Sequence, residues 1–269
     1  MNRRALLRSL VAGMAIPLAP IGIASAAQRT GRRLILVELS GANDGLNTVI
    51  PINDERYFEI RPNIALSKDK VFSIGKELTL NSELRSLDPA FQEGDLAIIQ
   101  GLGYPGQNRS HFKSIALWET GGDGSQAGKN GWLTEDIEGM KGSDTLDAHG
   151  ISLDGGMGVF LSSSGVWLSM TSLNQFSSLS LTTEKLNSNK QANSANPALS
   201  MIMDRGNTLN NSMASISSKV RKLNRRHDIR YDAGEFGRQA AMAAQLIDAG
   251  IDAPVLKIKL DGFDTHENQ

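Results

Sequence analysis

Near each end of the chain, apolar strand-like runs and helical patterns alternate, and that order limits the fold more than any other feature. Arg32 to Leu39, RRLILVEL, is a short apolar run without alternation, as expected of a strand buried on both faces. It runs into SGANDGLNTVIP, where Gly41, Asn43, Asp44 and Gly45 predict a tight turn. At the other end, EFGRQAAMAAQLIDAG sets Phe236, Ala240, Ala243, Ala244 and Ile247 on one helical face and closes at Gly250. PVLKIKL then reads as a strand, followed by DGFDTHENQ. Strand–helix–strand order at both ends predicts an α/β fold, a mostly parallel sheet flanked by helices.

The intervening segments are less regular. DERYFEIRP predicts a short helix stopped by Pro62, and NSELRSLDPAFQEG one that begins at a cap on Asn81 or Ser82 and stops at Gly94. DLAIIQGLG predicts a second buried strand, and NRSHFKSIALWETG a helix after it. NGWLTEDIEGM reads as a helix, residues 151–181 as several short strands, and 182–197 as a flexible loop rich in Ser and Asn. From Pro197 a long helical pattern places Met201, Leu209, Met213, Ile216 and Val220 on a common side.

Composition excludes several chemistries. With 40% hydrophobic and 21% charged residues the chain is globular, and with no cysteine it has no disulfide, thiolate metal site or cysteine nucleophile. At the N-terminus, Arg3 and Arg4 precede an apolar stretch from Leu10 to Ile23, and small residues around Ala26 suit cleavage. Residues 1–26 are therefore expected to be an export signal. The paired arginines resemble the twin-arginine type without the usual Ser or Thr ahead of them, and an ordinary Sec signal is the alternative. Gly13, Pro17, Pro20 and Gly22 interrupt the apolar run, which argues against a permanent membrane span. Removing the signal takes the net charge from −1 to −4, which leaves no electrostatic footprint for nucleic acid. The expected location is the periplasm or the medium, reached with the twin-arginine export machinery as partner.

Sites in open parallel sheets form beyond the carboxyl ends of strands. Asp44, Ser110 and the Asp264/His266 pair all occupy such positions. Ser110 starts a helix, where free N–H groups hold an anionic ester, and Arg109 beside it can add a charge-assisted bond. Ser110 reads as a nucleophile or as an N-cap, and Asp44 as a metal ligand or a turn former. Asp264 and His266 combine a carboxylate with an imidazole, a pairing that suits zinc or a similar divalent ion. His111 could contact substrate or cover the helix start. His149 and His227 carry weaker signals.

Taken together, LILVELSGANDGLNTVIP, LAIIQGLGYPGQNRSHFKSIALWETG, GWL and FGRQAAMAAQLIDAGIDAPVLKIKLDGFDTHENQ resemble the DUF1501 family of exported bacterial proteins. That family in turn is similar to the alkaline phosphatase and sulfatase superfamily, metal-centred α/β hydrolases. The resemblance implies an alkaline phosphatase-like domain over residues 27–269, with Asp44, Asp264 and His266 as ligands of a divalent metal, zinc or manganese. Ser110 would be the nucleophile and Arg109 would bind the oxygens of a phosphate or sulfate ester. The single residue between Asp264 and His266 departs from the superfamily's usual three. It further implies that the fold is incomplete at its C-terminal end, lacking a later Asp-His pair, and that this form has little or no activity. The second expectation from the same residues is a non-enzymatic exported binding or assembly protein with a degenerate site.

Overall fold

A computed structural model describes residues 33–76, 78–122, 128–176, 197–223, 231 and 234–265. The signal segment, residues 182–196 of the expected loop, His227 and His266 lie outside the described residues. The chain divides into two compact units, Met1–Leu36 with Gly128–Ile258, and Val37–Ala127 with Lys259–Gln269.

The principal sheet has four strands, β1 (Leu34–Leu39), β4 (Gly150–Ser152), β5 (Trp167–Ser169) and β6 (Val255–Leu260), in the order β1-β6-β4-β5. β4 pairs parallel with β5, Ile151 opposite Leu168, and parallel with β6, Ile151 opposite Leu256. Leu34 N donates to Pro254 O (2.9 Å) and Ser40 N to Leu260 O (2.8 Å), so β1 runs alongside β6 in the same direction. The expected mostly parallel sheet flanked by helices is what forms.

In the first unit both faces of the sheet are covered, and β6 shows how. Leu256 and Ile258 enter one apolar cluster, with Ile216 of the helix Pro197–Arg221 (α5) and Met242 and Leu246 of the helix Glu235–Asp248 (α6). Val255 enters another, with Phe160 and with Leu133 and Ile137 at the helix Thr134–Glu138 (α4). Successive side chains of a strand point to opposite faces, so a central strand covered on both sides reads as a continuous buried run. Among the described residues no helix is long and apolar enough to cross a membrane.

Two helical faces differ from expectation. In α6 the buried residues are Gly237, Gln239, Met242, Ala243 and Leu246, while Ile247 stays 36% exposed. The alanines that defined the expected face are too small to dominate burial, and Met242 and Leu246 turn inward instead. In α5 Ile216 is fully buried and Met213 and Val220 pack beside it, but Met201 and Leu209 are exposed.

The second unit holds the helices Glu55–Ile60 (α1), Asp88–Gln92 (α2) and His111–Thr120 (α3), with the antiparallel hairpin β2 (Val71–Ile74) and β3 (Leu78–Asn81). α1 begins on an Asp54 cap, and Asn81 caps the 3-10 turn Ser82–Leu87 that runs into α2. Asp95 to Gly103 is not a strand. Leu96 and Ile98 pack on the hairpin cluster of Phe72, Ile74 and Leu80, but Ile99 is 74% and Leu102 72% exposed. The run supplies the apolar residues of a strand without a partner edge to pair with. β1 likewise is not buried on both faces: it ends the strand order, and its burial alternates although its sequence does not.

One buried histidine couples the first unit to pH. His149 and Val166 are joined by two hydrogen bonds just ahead of β4 and β5: His149 N donates to Val166 O (2.7 Å), and Val166 N donates to the imidazole Nδ1 (2.9 Å). Burial pushes the His149 imidazole below its ordinary range, against the opposing attraction of Glu138. A histidine depressed in the folded state binds fewer protons than in the unfolded chain, so its contribution is complete above the unfolded value near 6.5 and declines as pH falls. Thermal melts between pH 8 and pH 5 are expected to show stability falling below about pH 6.5. In His149→Gln that part of the slope should disappear. An unchanged slope in the variant would assign it elsewhere.

Candidate functional site

The site lies in the second unit, beyond the end of β1. The chain leaves the strand through Gly41 (φ 99°) and Ala42 (φ 62°), two successive residues in left-handed conformations. Gly41 is required there for a second reason: a Cβ on it would lie 2.5 Å from Asp264 N and 2.9 Å from Asp264 Cβ. The turn after β1 and the segment after β6 are therefore in backbone contact, and that contact places Asp264.

Asp44 follows as the cap of the 3-10 turn Gly45–Asn47, its Oδ1 accepting from Leu46 N at 3.2 Å. Thr48 Oγ1 donates to Asp44 O (2.8 Å) and Asn43 Nδ2 to Thr48 Oγ1 (3.0 Å). The second carboxylate oxygen of Asp44 takes a hydrogen bond from the Arg61 guanidinium, whose side chain is only 15% exposed. Arg61 lies against the Tyr57 ring, 5.8 Å from its centroid, and Tyr57 OH donates to Asn47 Oδ1 at 2.7 Å. Asp44 is thus both turn former and ion-pair partner, and nothing in its local sequence announced Arg61.

Ser110 occupies the residue before α3 with extended backbone, yet its hydroxyl makes no capping bond. Its own N–H is held by Asn108 Oδ1 (2.8 Å). The loop is braced by Ser114, whose Oγ donates to Asn108 O (3.0 Å) and shares a 2.9 Å bond with Tyr104 OH. The cap reading of Ser110 therefore does not describe its side chain. Arg109 is exposed beside it.

His111 opens α3, and its Nε2 lies 3.6 Å from Asp264 Oδ1, with 44% and 43% of the two side chains exposed. That separation suits an ion pair with a protonated imidazole and is too long for a hydrogen bond. Beside the pair, Val37, Leu39, His111, Ser114, Ile115 and Trp118 bound a cavity of about 370 Å³. The structure thus joins Asp264 to His111, while Asp44 is joined to Arg61. In the sequence His111 has no visible partner, and only its place at the head of a helix after a glycine-rich loop marks it out.

The donor set bears on the metal expected from Asp44, Asp264 and His266. Among the described residues no three His, Asp or Glu side chains converge, and the Asp44 carboxylate is already engaged by a cation. As folded, Asp44 does not fit a ligand role while Arg61 holds it. No family model matches the chain, and no curated protein and no solved structure is detectably similar to it.

Proposed function

We propose that the protein, in its full-length form, is an exported, metal-dependent hydrolase of phosphate or sulfate esters, of the DUF1501 type and alkaline phosphatase-like in fold. The observation that supports this best is the start of α3, where an uncapping Ser110 hydroxyl is followed directly by a histidine paired with Asp264. The helix N-terminus favours an anion, and the exposed Arg109 adds a positive charge for the ester oxygens. In this reading Ser110 Oγ forms a bond to phosphorus or sulfur as the bond to the leaving oxygen breaks. The hydroxyl proton passes to His111, whose imidazolium Asp264 stabilises, and water then releases the anion from the serine. A divalent metal, zinc or manganese, would add Lewis acidity with Asp264 and His266 as ligands and Asp44 only after release from Arg61. Export through the twin-arginine route to the periplasm or medium belongs to the same proposal.

In a full-length protein, Ser110→Ala is expected to lower turnover of 4-nitrophenyl phosphate or 4-nitrocatechol sulfate about a hundredfold or more. Full turnover in that variant would remove Ser110 from the chemistry. The hold of Arg61 on Asp44 favours a second reading, a non-enzymatic exported binding or assembly protein with a degenerate site. Absence of turnover with every ester, together with no uptake of zinc or manganese, would select it.

A further inference from the structure

Resting on the hydrolase reading, we propose that the site selects esters with a flat apolar leaving group, an aromatic ring above all, and that the wall of Val37, Leu39, Ile115 and Trp118 receives it. The argument begins with periodicity. His111, Ser114, Ile115 and Trp118 recur at the spacing that puts residues on one face of a helix, and all four border the cavity. One stripe of α3 therefore carries the imidazole at its first residue and an indole two turns on, about 10 Å along the axis. From the facing strand, Val37 and Leu39 point to the same side because they are two residues apart.

The wall is bare. Trp118 is 55%, Val37 43% and Leu39 41% exposed. Large apolar side chains grouped in a concavity mark a place that something apolar covers. Here the concavity reaches His111, the first residue of α3 and the partner of Asp264, so its two ends ask for opposite chemistry in one ligand. The anion sits at the start of α3 and the apolar body extends along the stripe toward Trp118. Size agrees: an apolar cavity of about 150 Å³ holds benzene, and this one, at about 370 Å³, has space for a ring and its attachment to the anion.

The test uses the full chain and phenylphosphonate, whose carbon–phosphorus bond is not hydrolysed at an ester position, against methylphosphonate and phenol. Affinities come from calorimetry, and quenching of Trp118 emission, assigned with Trp118→Phe, locates the ring. Phenylphosphonate is expected to bind about tenfold or more tightly than methylphosphonate. Trp118→Ala should abolish that preference, chiefly by weakening phenylphosphonate binding, and Ile115→Ala serves if Trp118→Ala does not fold. Equal affinity of the two phosphonates would overturn the apolar subsite and leave the hydrolase reading standing. Phenol binding at Trp118 without binding of either phosphonate would overturn the hydrolase reading and this inference with it. Self-association that Trp118→Ala abolishes, with no phosphonate preference, would reassign the wall to a second copy of the chain.

Discussion

Lys257→Met is expected to cost about 3–5 kcal/mol of folding stability, because it leaves a buried carboxylate without its countercharge. Lys257 on β6 and Asp154 just after β4 form an ion pair whose side chains are each only 2% exposed. Asp154 also accepts from Ser152 Oγ and from Gly156 N, the latter at 3.0 Å. Burial alone would raise the Asp154 carboxyl, but the Lys257 ammonium and these hydrogen bonds outweigh it and hold the group below its ordinary value. The sign of the pH dependence follows. A carboxyl depressed in the folded state contributes stability that is complete above its unfolded value and is lost as pH falls through the folded one. Urea midpoints at neutral pH would measure the loss in Lys257→Met. In Asp154→Leu/Lys257→Met much of it should return, since an apolar pair of similar volume needs no countercharge. A single substitution costing under about 1 kcal/mol would mean that the carboxylate is protonated or reached by water.

Gly41→Ala should be the most damaging change at the candidate site. At φ 99° an L-residue is strained by about 1–3 kcal/mol, and the added methyl would overlap the Asp264 backbone at 2.5 Å. Relief requires moving the turn after β1 away from the segment after β6, which carries Asp264 away from the His111 imidazole. Loss of stability and weakened phenylphosphonate binding are expected together. Gly45→Ala is the control, because nothing lies within 4 Å of its missing Cβ. Surface changes of that kind stay within about 0.5 kcal/mol. Equal effects of the two substitutions would show that the turn is not held by Asp264.

How legible each part was depends on the range of the interaction that forms it. α1 was readable because Asp54 caps it and Pro62 follows it closely, and α3 because a polar loop leads into it and Gly121, at φ 62°, ends it. Asp95 to Gly103 had the composition of a strand, yet a strand exists only when another edge takes its hydrogen bonds. The β2–β3 hairpin was missed for the converse reason: its short strands, VFSI and LTLN, gain their burial from Phe91, Leu96 and Ile98 further along the chain. Lys257 shows the limit most clearly. Inside KIKL it reads as the polar position of a half-exposed strand, and it is buried because Asp154 stands opposite.

The sequence by itself determined the α/β class, the caps and stops of several helices, and the placing of Asp44, Ser110 and Asp264 after strands or at a helix start. Those follow from backbone propensity and side-chain periodicity, which act within a few residues. The tertiary structure alone decided that Asp44 faces Arg61 and that Asp264 faces His111. It also decided that Lys257 is buried and that Trp118 borders a cavity. Each of these depends on two distant segments meeting, and the free energy of a charge or an indole is set by the partner it meets there.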